Sequence, residues 1–214
     1  MKKHFIFFAP ACFMIFLMCL LGFLPGCARK GTDDITAPPA PSKTLFEFKL
    51  SVAGSISSGI DGSYVVAMDT DGDFSNGPYI TVSETTIRFS NIQTGFVYEN
   101  GRFKKLQYNK QLDTLESVEP STTPTSSISG NTLTTLWDPA EFGTPAKADM
   151  NVFTLKQKQV LDGLGDPVVD KDAKAVHIDF STESQKSATD AADDVPEENA
   201  SFNITTFSVR KTTG

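Results

Sequence analysis

The sequence predicts an all-β fold, an antiparallel two-sheet sandwich of eight to ten strands, immunoglobulin-like or jelly-roll-like. Three observations predict it. Apolar residues recur with a period of two in one short segment after another. An Asn-Gly pair stands between two such segments, the signal of a tight hairpin. No segment after residue 43 carries the spacing of a long amphipathic helix.

In Thr44–Ala53, Phe46, Phe48, Leu50 and Val52 alternate with Glu47, Lys49 and Ser51, as in a half-buried strand. Residues 54–62 are a Ser, Gly and Asp turn region. Ser63–Met68 is mostly apolar around Tyr64, Val65 and Val66, as expected of a central strand. Tyr79–Val82 and Thr86–Ile92 follow an Asp-rich loop. Phe96–Glu99 and Arg102–Leu106 flank Asn100-Gly101, which supplies the positive φ angles of a type I′ turn. Residues 117–130 are a polar loop with two prolines, and Asn131–Trp137 is the next strand. Asp138–Gly143 reads as one helical turn, with Asp as cap, Pro at the first position and Gly at the end. Met150–Leu155 and Ala175–Phe180 continue the β pattern, the latter with Val176, Ile178 and Phe180 on one face. Residues 182–200 are a polar stretch, and the acidic run Asp190–Glu198 within it reads as a solvated loop, with a cation or partner patch as the competing account. Ser201–Val209 closes the chain, and its apolar parity slips between Ile204 and Phe207, which predicts a bulge.

The chain has 214 residues and a formal charge of −7. Beyond residue 26 there are 17 basic and 26 acidic residues, so that part carries −9. Such a surface argues against nucleic acid and against electrostatic docking on anionic lipid, since both need clustered Lys and Arg. The cysteines are Cys12, Cys19 and Cys27, all near the start, so the folded part has neither a disulfide nor a thiolate metal site.

Met1-Lys2-Lys3-His4 followed by twenty almost wholly apolar residues reads as an export signal, with an uncleaved membrane-spanning anchor as the competing account. It ends in Leu24-Pro25-Gly26-Cys27. This stretch resembles the lipobox of bacterial lipoprotein precursors, with Pro25 departing from the usual residue at its position. The resemblance implies cleavage before Cys27, a diacylglyceryl group on its sulfur and a further acyl chain on its amine. Two or more chains hold a protein firmly on a bilayer, where one binds marginally. Ala28 in the next position implies outer-membrane sorting in a Gram-negative envelope. The expected organisation is a signal peptide at 1–26, a lipidated and Pro-rich tether at 27–43, and one β-sandwich domain at 44–214. Fully stretched, the tether spans roughly 50 Å.

Asp69-Thr70-Asp71-Gly72-Asp73 is the one constellation with ligand spacing. Carboxylates at i, i+2 and i+4 in a tight loop can converge on one hard cation, and backbone carbonyls near Ser75 or Asn76 would complete a Ca²⁺ shell. An ordinary Asp-rich turn is the competing account. It is not an EF-hand, because Phe74 stands where that loop needs Gly and Ile80 where it needs Glu. Tyr64–Gly77, and more weakly Asn131–Gly143, resemble β-sandwich domains of bacterial surface proteins of the carbohydrate-binding-module family 9 and DOMON-like kind. The resemblance implies a binding or accessory module, sometimes with structural calcium, and carries over only Asp69, Asp71 and Asp73 as ligands. Trp137 and Tyr79, and beside them Tyr98 and Tyr108, are the candidate platforms for stacking a sugar; core packing is the competing account. His177 sits between inward-facing Val176 and Ile178 and so faces outward, a solvated strand position. Asp162–Asp166 lacks a phosphate-binding glycine pattern, and Asp166, Asp170 and Asp172 belong to a loop.

No catalytic set stands out. The sequence points to a non-catalytic, lipid-anchored binding module of the bacterial cell envelope, with Ca²⁺ as its candidate cofactor and a protein or glycan as partner. The alternatives are a carbohydrate-binding or glycan-active protein, and a structural subunit of an envelope assembly.

Overall fold

The computed structural model describes residues 42–56, 61–74, 77–83, 86–112, 114–157, 159–164, 176–190 and 195–214. The leader, Cys27 and the tether up to residue 41 lie outside the described residues, as do Ser75, Asn76, Asp166, Asp170, Asp172 and residues 191–194.

Among the described residues fourteen strands form: β1 (Thr44–Val52), β2 (Ser63–Asp69), β3 (Tyr79–Ser83), β4 (Thr86–Ser90), β5 (Thr94–Glu99), β6 (Arg102–Asn109), β7 (Thr114–Val118), β8 (Thr125–Ser129), β9 (Thr132–Trp137), β10 (Lys147–Lys156), β11 (Gln159–Gly163), β12 (Val176–Asp179), β13 (Gln185–Thr189) and β14 (Ile204–Thr213). One sheet has the order β13-β14-β1-β9-β8. The second has the order β11-β10-β2-β5-β6-β7, with β12 also on β10, and β3 pairs with β4 alone. Every pairing is antiparallel. This is the all-β, sandwich-like architecture that the periodicity predicts, with more strands than expected.

The four additional strands, β7, β8, β11 and β13, are all at sheet edges. An edge strand has one hydrogen-bonded neighbour and can leave both its faces to solvent, so its sequence need not alternate. Thr125–Ser129 is exposed at every position, and nothing in it separates a strand from a polar loop. The polar stretches at 117–130 and 182–200 are corrected accordingly: the first contains β8, and the second contains β13 and a 3-10 turn at Glu197–Phe202.

The core forms where the two larger sheets face each other. Phe46, Phe48, Leu50 and Val52 of β1 meet Tyr64, Val66 and Met68 of β2 and Phe96 of β5. Burying each large side chain contributes about 1.5–3 kcal/mol. The alternate residues of the second sheet are buried as well. Val65, Ala67, Val97, Leu106 and Phe153 form a separate cluster with Ile80 and Ile92. Ile80 on β3 and Phe89 on β4 bring the short hairpin onto that outer face. A strand covered on both sides needs apolar residues at every position, which is why β2 reads as a continuous run.

Local chemistry follows the sequence closely. Asn100 and Gly101 have φ of 48° and 76° between the paired Glu99 and Arg102. Asp138 accepts the Ala140 N–H at 2.9 Å and caps a 3-10 turn at Pro139–Phe142, which Gly143 ends with φ of 78°. The bulge lies where the parity slips: Ser51 pairs with Thr206 but Val52 with Ile204, leaving Thr205 as the extra residue.

Candidate functional site

Asp69 ends β2, and the acidic loop follows at once. Its spacing is realised as two successive Asx turns. The Asp69 carboxylate accepts the Asp71 N–H at 3.1 Å, and the Asp71 carboxylate accepts the Asp73 N–H at 2.7 Å. Among the described residues, no group of three or more His, Cys, Asp or Glu is placed to hold a metal ion.

The loop connects instead to a row across the second sheet. Asp69 stands opposite Asp149 on β10, and Asp149 opposite His177 on β12. His177 Nδ1 lies 2.7 Å from Asp149 Oδ1, whose side chain is fully buried, and Phe74 packs its ring against the imidazole. His177 does face away from the core as its neighbours predict, but it is paired rather than merely solvated. Asp69 is 4% exposed. Burial, reinforced by the neighbouring carboxylates of Asp71 and Asp149, pushes its pKa up to about 6 against the opposing Asp71 N–H.

A folded pKa above the unfolded one means that the native state holds the proton more tightly. Stability therefore falls as pH rises through roughly 4 to 6, and the penalty persists above that window. Asp69→Asn keeps an oxygen for the Asp71 N–H and removes the charge. In EDTA it is expected to stabilise the protein at pH 8 by about 1–3 kcal/mol, with the gain disappearing below about pH 4. Thermal melts of both proteins across this range check it; a variant less stable than the parent at pH 8 in Ca²⁺ would instead identify the carboxylate as a ligand.

Beside the loop is a cleft of about 440 Å³ between the β3–β4 hairpin and β6–β7. Tyr79, Arg88, Phe89, Asn91, Gln93 and Tyr108 line it. Asn91 turns the chain out of β4 with φ of 54°, and the Gln93 carbonyl accepts the Tyr108 N–H at 3.1 Å, which fixes β6 alongside. Gln93 also links cleft and loop, its side-chain oxygen accepting the Thr70 N–H at 2.8 Å. A half-buried tyrosine pair with a guanidinium and two carboxamides can stack on a ring and hydrogen-bond to its substituents.

Two of the four aromatic candidates, Tyr79 and Tyr108, are in this cleft. Trp137 is not: it is 1% exposed and stacks on Phe96 at 5.1 Å, with Phe103 and Phe142 around it. Its ring has no free face for a ligand, because β9 ends over the core and the apolar indole completes it. Tyr98 is buried between Tyr64 and Phe103. The sequence did not single out Arg88, Asn91 or Gln93; the one available signal was the polar residues Ser90, Asn91 and Gln93 shortly before the hairpin. The chain matches no family model, no curated protein and no solved structure.

Proposed function

We propose that this chain is a non-catalytic, lipid-anchored binding module of the bacterial cell envelope, carried on Cys27 and displaced from the bilayer by its Pro-rich tether. The observation that carries this reading is Leu24-Pro25-Gly26-Cys27 at the end of the apolar leader. In a Gram-negative cell the outer membrane is its address. The test is metabolic labelling with a clickable fatty acid, read with the mass of the product. The parent chain should be labelled and shortened before Cys27. Cys27→Ser should be unlabelled and keep its leader. Fractionation alone would mislead, because an uncleaved leader also holds a chain in the membrane. An unlabelled parent chain would sink the anchor.

The cleft favours a second reading, in which the module binds carbohydrate. Tyr79 and Tyr108 would stack on a sugar ring, and Arg88, Asn91 and Gln93 would hydrogen-bond to its hydroxyls. The accompanying proposal of a structural Ca²⁺ rests on Asp69, Asp71 and Asp73, and the melts described above test it. For the sugar, an array of neutral and uronic-acid oligosaccharides probed with the detergent-solubilised chain should show binding that Tyr79→Ala weakens and Tyr79→Phe retains. A blank array removes the sugar while leaving the anchored module standing.

A further inference from the structure

We propose that β8 pairs with β8 of a second copy of this chain, joining two five-stranded sheets into one of ten. Sheet edges invite such pairing unless charge, proline or a bulge blunts them. The other edges of the two large sheets are blunted: Lys186 on β13, Glu116 on β7 and Asp179 on β12 carry charge, and β11 breaks register with β10 between Thr154 and Leu155. β12 and β13 also lie against each other. Within its own five residues β8 has none of these devices, the nearest being Pro124 just before it. It reads Thr-Ser-Ser-Ile-Ser, every residue is exposed, and its register with β9 runs without a shift. Ile128 is 37% exposed, an unusual position for a large apolar side chain in this fold.

The register is self-complementary. Gly130-Asn131 forms a two-residue turn with Gly130 at φ of 61°, so the closing Ser129–Thr132 pair is hydrogen-bonded. Alternation then leaves the N–H and C=O of Ser126 and Ile128 facing outward from the sheet. A two-fold axis at Ser127 sets Ser126 of each copy opposite Ile128 of the other. All four outward N–H and C=O pairs are satisfied, the isoleucines are covered, and no like charges are opposed. This matters for a chain whose folded part is strongly acidic, since pairing β7, β12 or β13 with its own copy would bring charge to charge. The contact is small, so it is weak in dilute solution and strengthened by confinement on a surface.

Ser127→Cys tests it. At the axis the two Cα atoms would be about 4.5 Å apart, within the disulfide range. The full chain in its producing membranes, and in a concentrated detergent extract, should crosslink into a covalent dimer under mild oxidation. Thr132→Cys, one strand inward, and the parent chain are the controls for random encounter and for the native cysteines. Ile128→Lys or Ser126→Lys in the Ser127→Cys background should abolish the crosslink by placing charge on the edge. Crosslinking no faster than in Thr132→Cys, or unaffected by either lysine, would overturn the proposal. Dimer in the extract is independent of the lipid anchor, so a chain that fails fatty-acid labelling but still crosslinks overturns only the anchor.

Discussion

Asp162→Ala is expected to destabilise the domain by about 3 kcal/mol, or roughly 6–12 °C in a thermal melt. Asp162 is 6% exposed. One carboxylate oxygen accepts the Ile204 N–H at 2.5 Å, and the other accepts the Gly163 N–H at 2.7 Å. The first bond ties an edge strand of one sheet to the first residue of β14 in the other, at the bulge. Ile204 is fully buried, so removing the acceptor leaves an N–H with no water to replace it. Charge-assisted bonds of this kind are about twice as strong as neutral ones. Asp162→Asn retains one oxygen and should lose less. The contrast is Glu47→Ala: the Glu47–Arg210 pair at 2.8 Å has a half-exposed arginine and is worth less than about 1 kcal/mol. Denaturant midpoints of the three variants measure the difference; an Asp162→Ala loss no larger than that of Glu47→Ala would mean that the inter-sheet bond does not hold β11 in place.

That carboxylate marks the boundary of what the sequence could reveal. Asp162 stands in an Asp-Gly-Leu-Gly-Asp segment that no strand periodicity marks, and residue identity alone does not distinguish a buried carboxylate from a solvated one. Strands that bury one face, such as β1 and β12, were legible because the core imposes a period of two. β2 was legible because two cores impose continuous apolarity. The hairpin at Asn100-Gly101, the cap at Asp138 and the bulge at Thr205 were legible because each depends on a few adjacent residues. β8 and β13 were not, since backbone pairing at an edge makes no demand on side chains.

The candidate site divides along the same line. Two adjacent Asx turns could be read from Asp-x-Asp-x-Asp, since they are local. The row Asp69–Asp149–His177 could not, because the register between β2, β10 and β12 brings together positions far apart in the chain. Tyr79 and Trp137 looked equivalent as sequence. What separates them is that β3 lies on the outer face of a sheet and β9 over the inner core, and no local pattern records which side of the sandwich a strand will cover.

Gly95→Ala should be the other severe substitution, costing at least about 3 kcal/mol and depressing soluble yield. Gly95 is within β5, in the middle of the second sheet, with φ of 154°. A Cβ there would collide with the carbonyl oxygen of Val66 on β2. Glycine inside a strand signals such a close approach, and here it lets β5 lie against β2 where Ala67 and Leu106 flank it in register. Conformational strain alone is a smaller effect, and Gly130→Ala isolates it: φ is positive there too, at 61°, but a Cβ would meet nothing within 4 Å. Left-handed strain of about 1–2 kcal/mol is the whole expected cost at Gly130. The excess at Gly95 measures the clash. Because the obstructing atom is main chain, truncating the neighbouring side chain with Val66→Ala cannot relieve it. Recovery in the double variant, or equal losses at Gly95 and Gly130, would show that β2 and β5 are free to separate.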